Sequence, residues 1–248
     1  MISFEEKVKS AGTEIWCSYS SQVDSPLLYV ILLTGDGTSG TKSSTWNPLV
    51  KKLLENNLGV LQFDFISQGH SSGDRLNLNI KTGIVNFNDA MDFFMAKLDI
   101  KKIVGIGSSF GATVLLNSEK LSLFHHIVLK SPAINLSEAY ENEHLSFENI
   151  EKWKECAVSE ETGLSFEAYK LASEINTYNN LISIKCPVTI IHGSEDELVP
   201  ITQSKRFKLL LEGKCELVIL EGVKHNYKQN NAVESFVDIT CDRIVKSI

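Results

Sequence analysis

Gly107-Ser108-Ser109-Phe110-Gly111 reads as a turn that lifts one serine clear of a buried sheet. The apolar run Lys102-Ile103-Val104-Gly105-Ile106 before it predicts a buried strand. Ala112-Thr113-Val114-Leu115-Leu116-Asn117 after it predicts a helix with no proline to stop it. A G-x-S-x-G sequence at a strand-to-helix junction needs a turn so tight that only glycine fits on either side of the serine. Such a turn places the Ser109 hydroxyl at a helix N-terminus and makes it a candidate nucleophile. The motif by itself is weak, because Gly-Ser turns are common and a helix-capping serine is the plain alternative. A base and an acid must come from elsewhere in the chain.

Both are present, in a telling order. Asp196 stands on the loop after a predicted strand at Pro187–Ile191, within His192-Gly193-Ser194-Glu195-Asp196-Glu197-Leu198-Val199-Pro200. His225 stands on the loop after a second predicted strand, Glu216–Leu220. Functional groups of open α/β sheets gather at the C-terminal ends of strands. Serine, then acid, then histidine is the chain order of α/β-hydrolases. On these residues the sequence resembles the α/β-hydrolases of the serine esterase, lysophospholipase and S9/S33 peptidase-like group, small bacterial cinnamoyl/feruloyl esterases included. The similarity runs from about Leu27 to the last helix.

The resemblance implies a fold and a set of roles. It implies an α/β-hydrolase fold: a mostly parallel twisted sheet with helices on both faces, in a single domain over residues 1–248, with a small cap insertion at about 135–182. Ser109 would attack an acyl carbonyl, His225 would carry its proton, and Asp196 would hold the imidazole. Glu195 and Glu197 compete for the acid's role, but the spacing of Asp196 before Val199-Pro200 matches the family. The oxyanion hole would use the backbone N–H groups of Phe110 and Asp36. Here the chain departs from the pattern, since Thr34-Gly35 replaces the usual His-Gly pair and Asp36 brings a carboxylate beside a developing negative charge. The loop Asp64-Phe65-Ile66-Ser67-Gln68-Gly69-His70-Ser71-Ser72-Gly73 also departs, with Ile66 and Ser67 where the family has Arg and Gly.

The rest of the chain fits this frame. With 248 residues, 43% of them hydrophobic, it is long enough for one large α/β core. A net charge of −7 provides no basic stripe for nucleic acid, and no apolar run is long enough to span a membrane. The N-terminus lacks the basic start and apolar core of a signal peptide, and the five cysteines show no C-x-x-C spacing. Free thiols in a reducing cytoplasm are therefore expected. His70, His125, His126 and His144 show no metal-ligand spacing, so neither metal nor cofactor is expected, and His192 reads as a structural histidine.

Periodicity places the remaining elements. Ser3–Val8 and Glu14–Tyr19 read as a hairpin, Leu27–Leu33, Val60–Phe65 and Ile127–Leu129 as strands. Helices are expected from about Pro48, over Ile84–Leu98, Phe207–Leu211 and Ala232–Val245. Between Asn135 and Ile182 the alternation stops, and the resemblance places a cap of short helices there. Trp153, Phe166 and Tyr169 are its candidates for lining an acyl or aromatic pocket, with packing against the sheet as their plainer role.

Gly35-Asp36-Gly37-Thr38-Ser39-Gly40 is a literal G-x-G-x-x-G after a strand, with Asp64 following the next one. A dinucleotide site requires its last glycines to open a helix directly, so that the helix N-terminus meets the pyrophosphate. Thr41 to Asn47 intervene, which disfavours a nicotinamide enzyme. A catalytically silent binding protein stays open because of Asp36. The resemblance favours a cofactor-independent serine hydrolase of small-molecule acyl esters, with an acyl thioesterase as the runner-up and a peptidase or amidase third.

Overall fold

Ala11 and Gly12 both adopt positive φ, at 47° and 78°, which suits a two-residue hairpin turn whose twist matches the strands it joins. They connect β1 (Ile2–Ser10) to β2 (Thr13–Ser21). These begin an eight-stranded sheet that continues with β3 (Tyr29–Leu33), β4 (Gly59–Phe63), β5 (Ile103–Ser108), β6 (His126–Lys130), β7 (Val188–Gly193) and β8 (Cys215–Leu220). The computed structural model describes residues 1–143, 147–229 and 231–246. His144 lies outside the described residues.

The strand order is β1-β2-β4-β3-β5-β6-β7-β8, with β1 and β2 antiparallel and every pairing from β4 to β8 parallel. β3, β5, β6 and β7 are buried along their whole length, as parallel strands covered on both faces must be. On one face α1 (Trp46–Glu55) packs beside α8 (Ala232–Val245), with Leu49, Leu53, Phe236 and Ile244 fully buried against Val30, Val104 and Val128. On the other face α2 (Ile80–Lys97), α3 (Phe110–Asn117) and α7 (Ile201–Leu210) bury Phe87, Phe94, Val114 and Phe207.

Several boundaries differ from the sequence expectation, each for a local reason. α1 starts at Trp46, so Pro48 sits third in the first turn, where a missing N–H costs nothing. α2 starts at Ile80 because the Asn79 side chain accepts the Thr82 N–H at 3.0 Å and caps the helix. α7 starts at Ile201, well before the expected Phe207. Its first turns bury Gln203 and Ser204, polar residues that blank out the apolar periodicity. Leu27 stands outside β3 and is 77% exposed.

Residues 135–182 interrupt the alternation of strand and helix. They carry α4 (Leu136–Glu143), α5 (Phe147–Cys156), α6 (Phe166–Glu174) and the start of a 3₁₀ turn at Thr177–Ser183. One isolated antiparallel bridge, Val158 to Ser165, joins α5 to α6. No helix among the described residues is long and apolar enough to cross a membrane. All five cysteines carry free thiols, and only Cys156 is exposed.

Candidate active site

Ser109 sits between β5 and α3 with φ at +50°, a conformation that L-residues rarely adopt. The flanking glycines are there for space. A Cβ on Gly107 would come within 2.7 Å of the Ala112 Cα, and one on Gly111 within 2.4 Å of the Thr34 carbonyl oxygen. The turn is closed by backbone bonds, with Ser109 N–H donating to the Lys130 carbonyl at 3.0 Å.

Three loops at the C-terminal ends of the parallel strands meet at this serine. His225 Nε2 lies 3.1 Å from Ser109 Oγ, and His225 Nδ1 lies 2.8 Å from Asp196 Oδ2. Residues 116 apart in sequence thus form one hydrogen-bonded chain from hydroxyl to carboxylate. The Asp196 side chain is fully buried, while that of His225 is 20% exposed. Glu195 is exposed, and Glu197 pairs with Lys224 at 3.3 Å on the surface, so neither competes for the imidazole.

Asp196 is held on both oxygens. Oδ1 accepts the backbone N–H groups of Leu198 and Val199 at 3.1 and 2.9 Å. Oδ2 faces not only His225 but also His192 Nε2, at 3.2 Å. His192 is completely buried, with Nδ1 2.7 Å from Ser204 Oγ and Nε2 2.9 Å from the Val199 carbonyl. A carbonyl only accepts, so His192 Nε2 carries a proton. Burial works to raise the Asp196 carboxyl, but hydrogen bonds from His192 and His225 outweigh it and hold it well below the usual carboxylate range. The sequence offered no signal for this second histidine beyond its position at a strand end.

The sequence matches the prolyl oligopeptidase family over residues 69–240, which include Ser109, Asp196 and His225. The chain belongs to the prolyl oligopeptidase family. A protein of Acanthamoeba polyphaga mimivirus described as an α/β hydrolase is 25% identical over 206 residues, covering 81% of this chain and 68% of that one. Among solved structures, Est1E of Butyrivibrio proteoclasticus with ferulic acid bound superposes with a TM-score of 0.82 at 19% identity, over 98% of both chains. The Pyrococcus furiosus esterase Pf2001 gives 0.74 at 22% identity, over 99% of this chain and 91% of that one. The fold of this family member is therefore the α/β-hydrolase fold.

Phe110 and Asp36, expected as backbone donors, flank the serine. Phe110 is the first residue of α3, where an N–H has no acceptor within its own helix. Gly35, just before Asp36, approaches the serine so closely that a Cβ on it would lie 3.6 Å from Ser109 Cβ. The Asp36 carboxylate is not left facing the serine unpaired, because the Tyr140 phenol hydrogen-bonds to it. Burial and then Asp36 raise that phenol well above the ordinary tyrosine range.

A cleft of about 670 Å³ opens over Ser109 and His225, with Asp36, Lys130, Tyr140 and Glu143 in its walls. Its lining is rich in hydroxyls and amides, including Ser43, Thr45, Asn226 and Gln229. Trp153, Phe166 and Tyr169 are not in these walls, which corrects the expectation of an aromatic pocket built from them. Trp153 is 2% exposed and packs edge-on against Tyr140 and Phe166, with its Nε1–H donating to the Leu164 carbonyl at 3.0 Å. Tyr169 packs on the same cluster and hydrogen-bonds to Glu141 at 2.7 Å. Of this cluster, Tyr140 is the residue that reaches the cleft. Trp153→Ala is accordingly expected to destabilise the fold by roughly 3–5 kcal/mol, read by denaturant unfolding. The ranking of substrates should stay as in the wild type, and a changed ranking would return Trp153 to the pocket.

Glu143 and Lys130, in the same walls, are also displaced from their ordinary behaviour. Glu143 is pushed up to about 7, by burial first and then by Asp36 and Glu161. Lys130, at the end of β6, is 5% exposed, and burial pushes its ammonium down from 10.5 to about 8, against the opposing pull of Asp196. Its Nζ lies 3.7 Å from the Tyr227 ring centroid and 3.4 Å from the His225 carbonyl. An unfolded lysine keeps its proton until about 10.4. The folded chain releases it earlier, so the unfolded state binds more protons in between and stability rises with pH across that window. Lys130→Met should therefore stabilise the protein at pH 7, on the order of 1–3 kcal/mol, with the gain shrinking as pH rises from about 8 towards 10. Urea titrations at several pH values check this, and a gain that is flat with pH would refute it.

Proposed function

We propose that the protein is a serine hydrolase of carboxylic esters, working through an acyl-enzyme. The observation that carries this reading is the hydrogen-bonded chain Ser109–His225–Asp196, opening into a cleft large enough for a small ester. Ser109 Oγ forms a bond to the acyl carbon while its proton passes to His225 Nε2. The carbonyl electrons move onto oxygen, where the N–H groups of Phe110 and Asp36 receive the charge. Collapse breaks the bond to the leaving oxygen, which takes the proton from His225. Water then repeats the sequence on the acyl-enzyme and releases the acid. Asp196, its charge favoured by two histidines and two backbone donors, keeps the Nδ1–H of His225 in place and stabilises the imidazolium.

Residues 135–182 act in this reading as a cap whose contribution to the cleft is α4, through Leu136, Ala139, Tyr140 and Glu143. The abundance of hydroxyl, amide and charged groups in the walls favours a short or polar-substituted ester over a long alkyl one. The test is a panel of p-nitrophenyl esters from acetyl to palmitoyl, with methyl cinnamates, acyl-CoA thioesters and a prolyl-p-nitroanilide. Short esters should give the highest kcat/KM, and palmitoyl the lowest among the p-nitrophenyl series. Preference for acyl-CoA would make the protein a thioesterase instead. The family match makes the anilide the other informative substrate, and its preferred cleavage would establish a peptidase.

A further inference from the structure

Gln68 is a completely buried amide in the loop after β4, and no step of the reaction above uses it. Its side chain bridges two groups at the end of β3. Thr34 Oγ1 donates to Gln68 Oε1 at 3.2 Å, and Gln68 Nε2 donates to the Gly35 carbonyl at 2.8 Å. This orientation of the amide is required, because the Gly35 oxygen can only accept.

The Gly35 carbonyl and the Asp36 N–H belong to one peptide unit. In a trans peptide the two point in opposite directions. A side chain that draws the carbonyl to one side therefore turns the N–H to the other. The peptide also needs holding. Gly35 has no Cβ to resist rotation, and a flipped peptide would present a carbonyl oxygen where a hydrogen-bond donor is wanted. Hydrogen bonding at the carbonyl end also polarises the peptide and strengthens its N–H as a donor.

We propose that Gln68 is a positioning residue for the oxyanion hole, fixing the Gly35–Asp36 peptide so that its N–H faces the acyl oxygen at Ser109. This rests on the reading of Ser109 as nucleophile. The anchor itself is rigid. Gln68 N–H donates to the Phe65 carbonyl at 3.0 Å and Gly69 N–H to the Thr38 carbonyl at 2.9 Å. The buried Asp64 carboxylate ties the two loops together by accepting the N–H groups of Thr41 and His70. On the other side, Arg75 Nη2 donates to the carbonyl of Asp36. Thr34 thereby gains a function as the donor that fixes which way the Gln68 amide points.

The experiment compares the wild type with Gln68→Met, Thr34→Val and Thr34→Ser. For each, kcat and KM are measured on p-nitrophenyl butyrate, together with inhibition by a trifluoromethyl ketone. The rate of labelling by a fluorophosphonate, which needs no turnover, is measured alongside. Gln68→Met keeps the volume and loses the donor. Its kcat should fall roughly 10- to 100-fold with KM within about threefold, since one hole donor is weakened rather than deleted. The ketone's inhibition constant should rise by the same factor, because its adduct also places an oxyanion in the hole. Thr34→Val should lose several-fold and Thr34→Ser should restore the loss, which decides the matter if Gln68→Met does not fold. Unchanged kcat and labelling in Gln68→Met, or a loss confined to KM with unaltered ketone affinity, overturns the proposal while Ser109 stands. A wild type that the phosphonate does not label at all removes Ser109 as nucleophile, and this inference with it.

Discussion

Ser109→Ala is expected to lower ester hydrolysis on the order of 10⁴-fold or more, with the fold intact. On the proposed mechanism the substitution removes the atom that would bond the acyl carbon and leaves the proposed oxyanion donors and the cleft in place. Little stability should change, because alanine retains the Cβ that makes φ of +50° unfavourable. Ser109→Gly separates the two effects. It should be as inactive as the alanine variant but more stable than it, by on the order of 1 kcal/mol, since glycine adopts that conformation without strain. Thermal unfolding and p-nitrophenyl ester turnover on purified variants check both. An alanine variant with more than a tenth of wild-type activity would mean that another group is the nucleophile.

Asp196→Asn should cost on the order of 10²- to 10⁴-fold in kcat/KM, and the hydrogen bonds around the carboxylate say why. The backbone N–H groups of Leu198 and Val199 require an acceptor at the Oδ1 position. An asparagine must therefore place its NH₂ at the Oδ2 position, facing His225 Nδ1 and the proton-bearing Nε2 of His192. Donating to Nδ1, it would hold His225 in the tautomer whose Nε2 carries the proton, and Ser109 would lose its base. Two donors would also confront each other at His192, so a drop in stability should accompany the loss. Glu195→Gln and Glu197→Gln should stay within about twofold of wild type, because both carboxylates face solvent. A larger loss in Glu195→Gln than in Asp196→Asn would move the acid.

The two variants together separate chemistry from architecture. On the proposed mechanism Ser109 bonds the reacting carbon, and its backbone is strained, so Ser109→Gly should gain stability while ending turnover. Asp196 is part of a buried polar network, so its change should lower both. A protein in which both variants lost stability equally would fit a structural role for the whole chain of hydrogen bonds.

The sequence by itself determined the elements that rest on local chemistry. The run from Ile103 to Gly111 reads as a buried strand, a tight glycine-flanked turn and a helix start, and the order of Ser109, Asp196 and His225 along the chain singles that reading out from an ordinary Gly-Ser turn. The loops bearing Asp196 and His225 followed from short apolar strands with turn residues behind them, and α8 was legible to its last residue because its apolar face repeats regularly. Boundaries set by polar side chains were not legible. The start of α7 depends on Gln203 and Ser204 being buried against Asn135 and His192, partners 68 and 12 positions away. Only the tertiary structure decided what lines the cleft. The aromatics of residues 135–182 look like pocket residues in a sequence, but Trp153 turns inward to join the hydrophobic core on that face of the sheet and leaves the cleft to Tyr140, Glu143 and Lys130. His192 beside Asp196 and Gln68 behind Gly35 share that origin. Both are buried polar groups, His192 satisfied by the segment that follows its own strand and Gln68 by a different loop, and a pattern along one chain carries no record of which polar groups will meet.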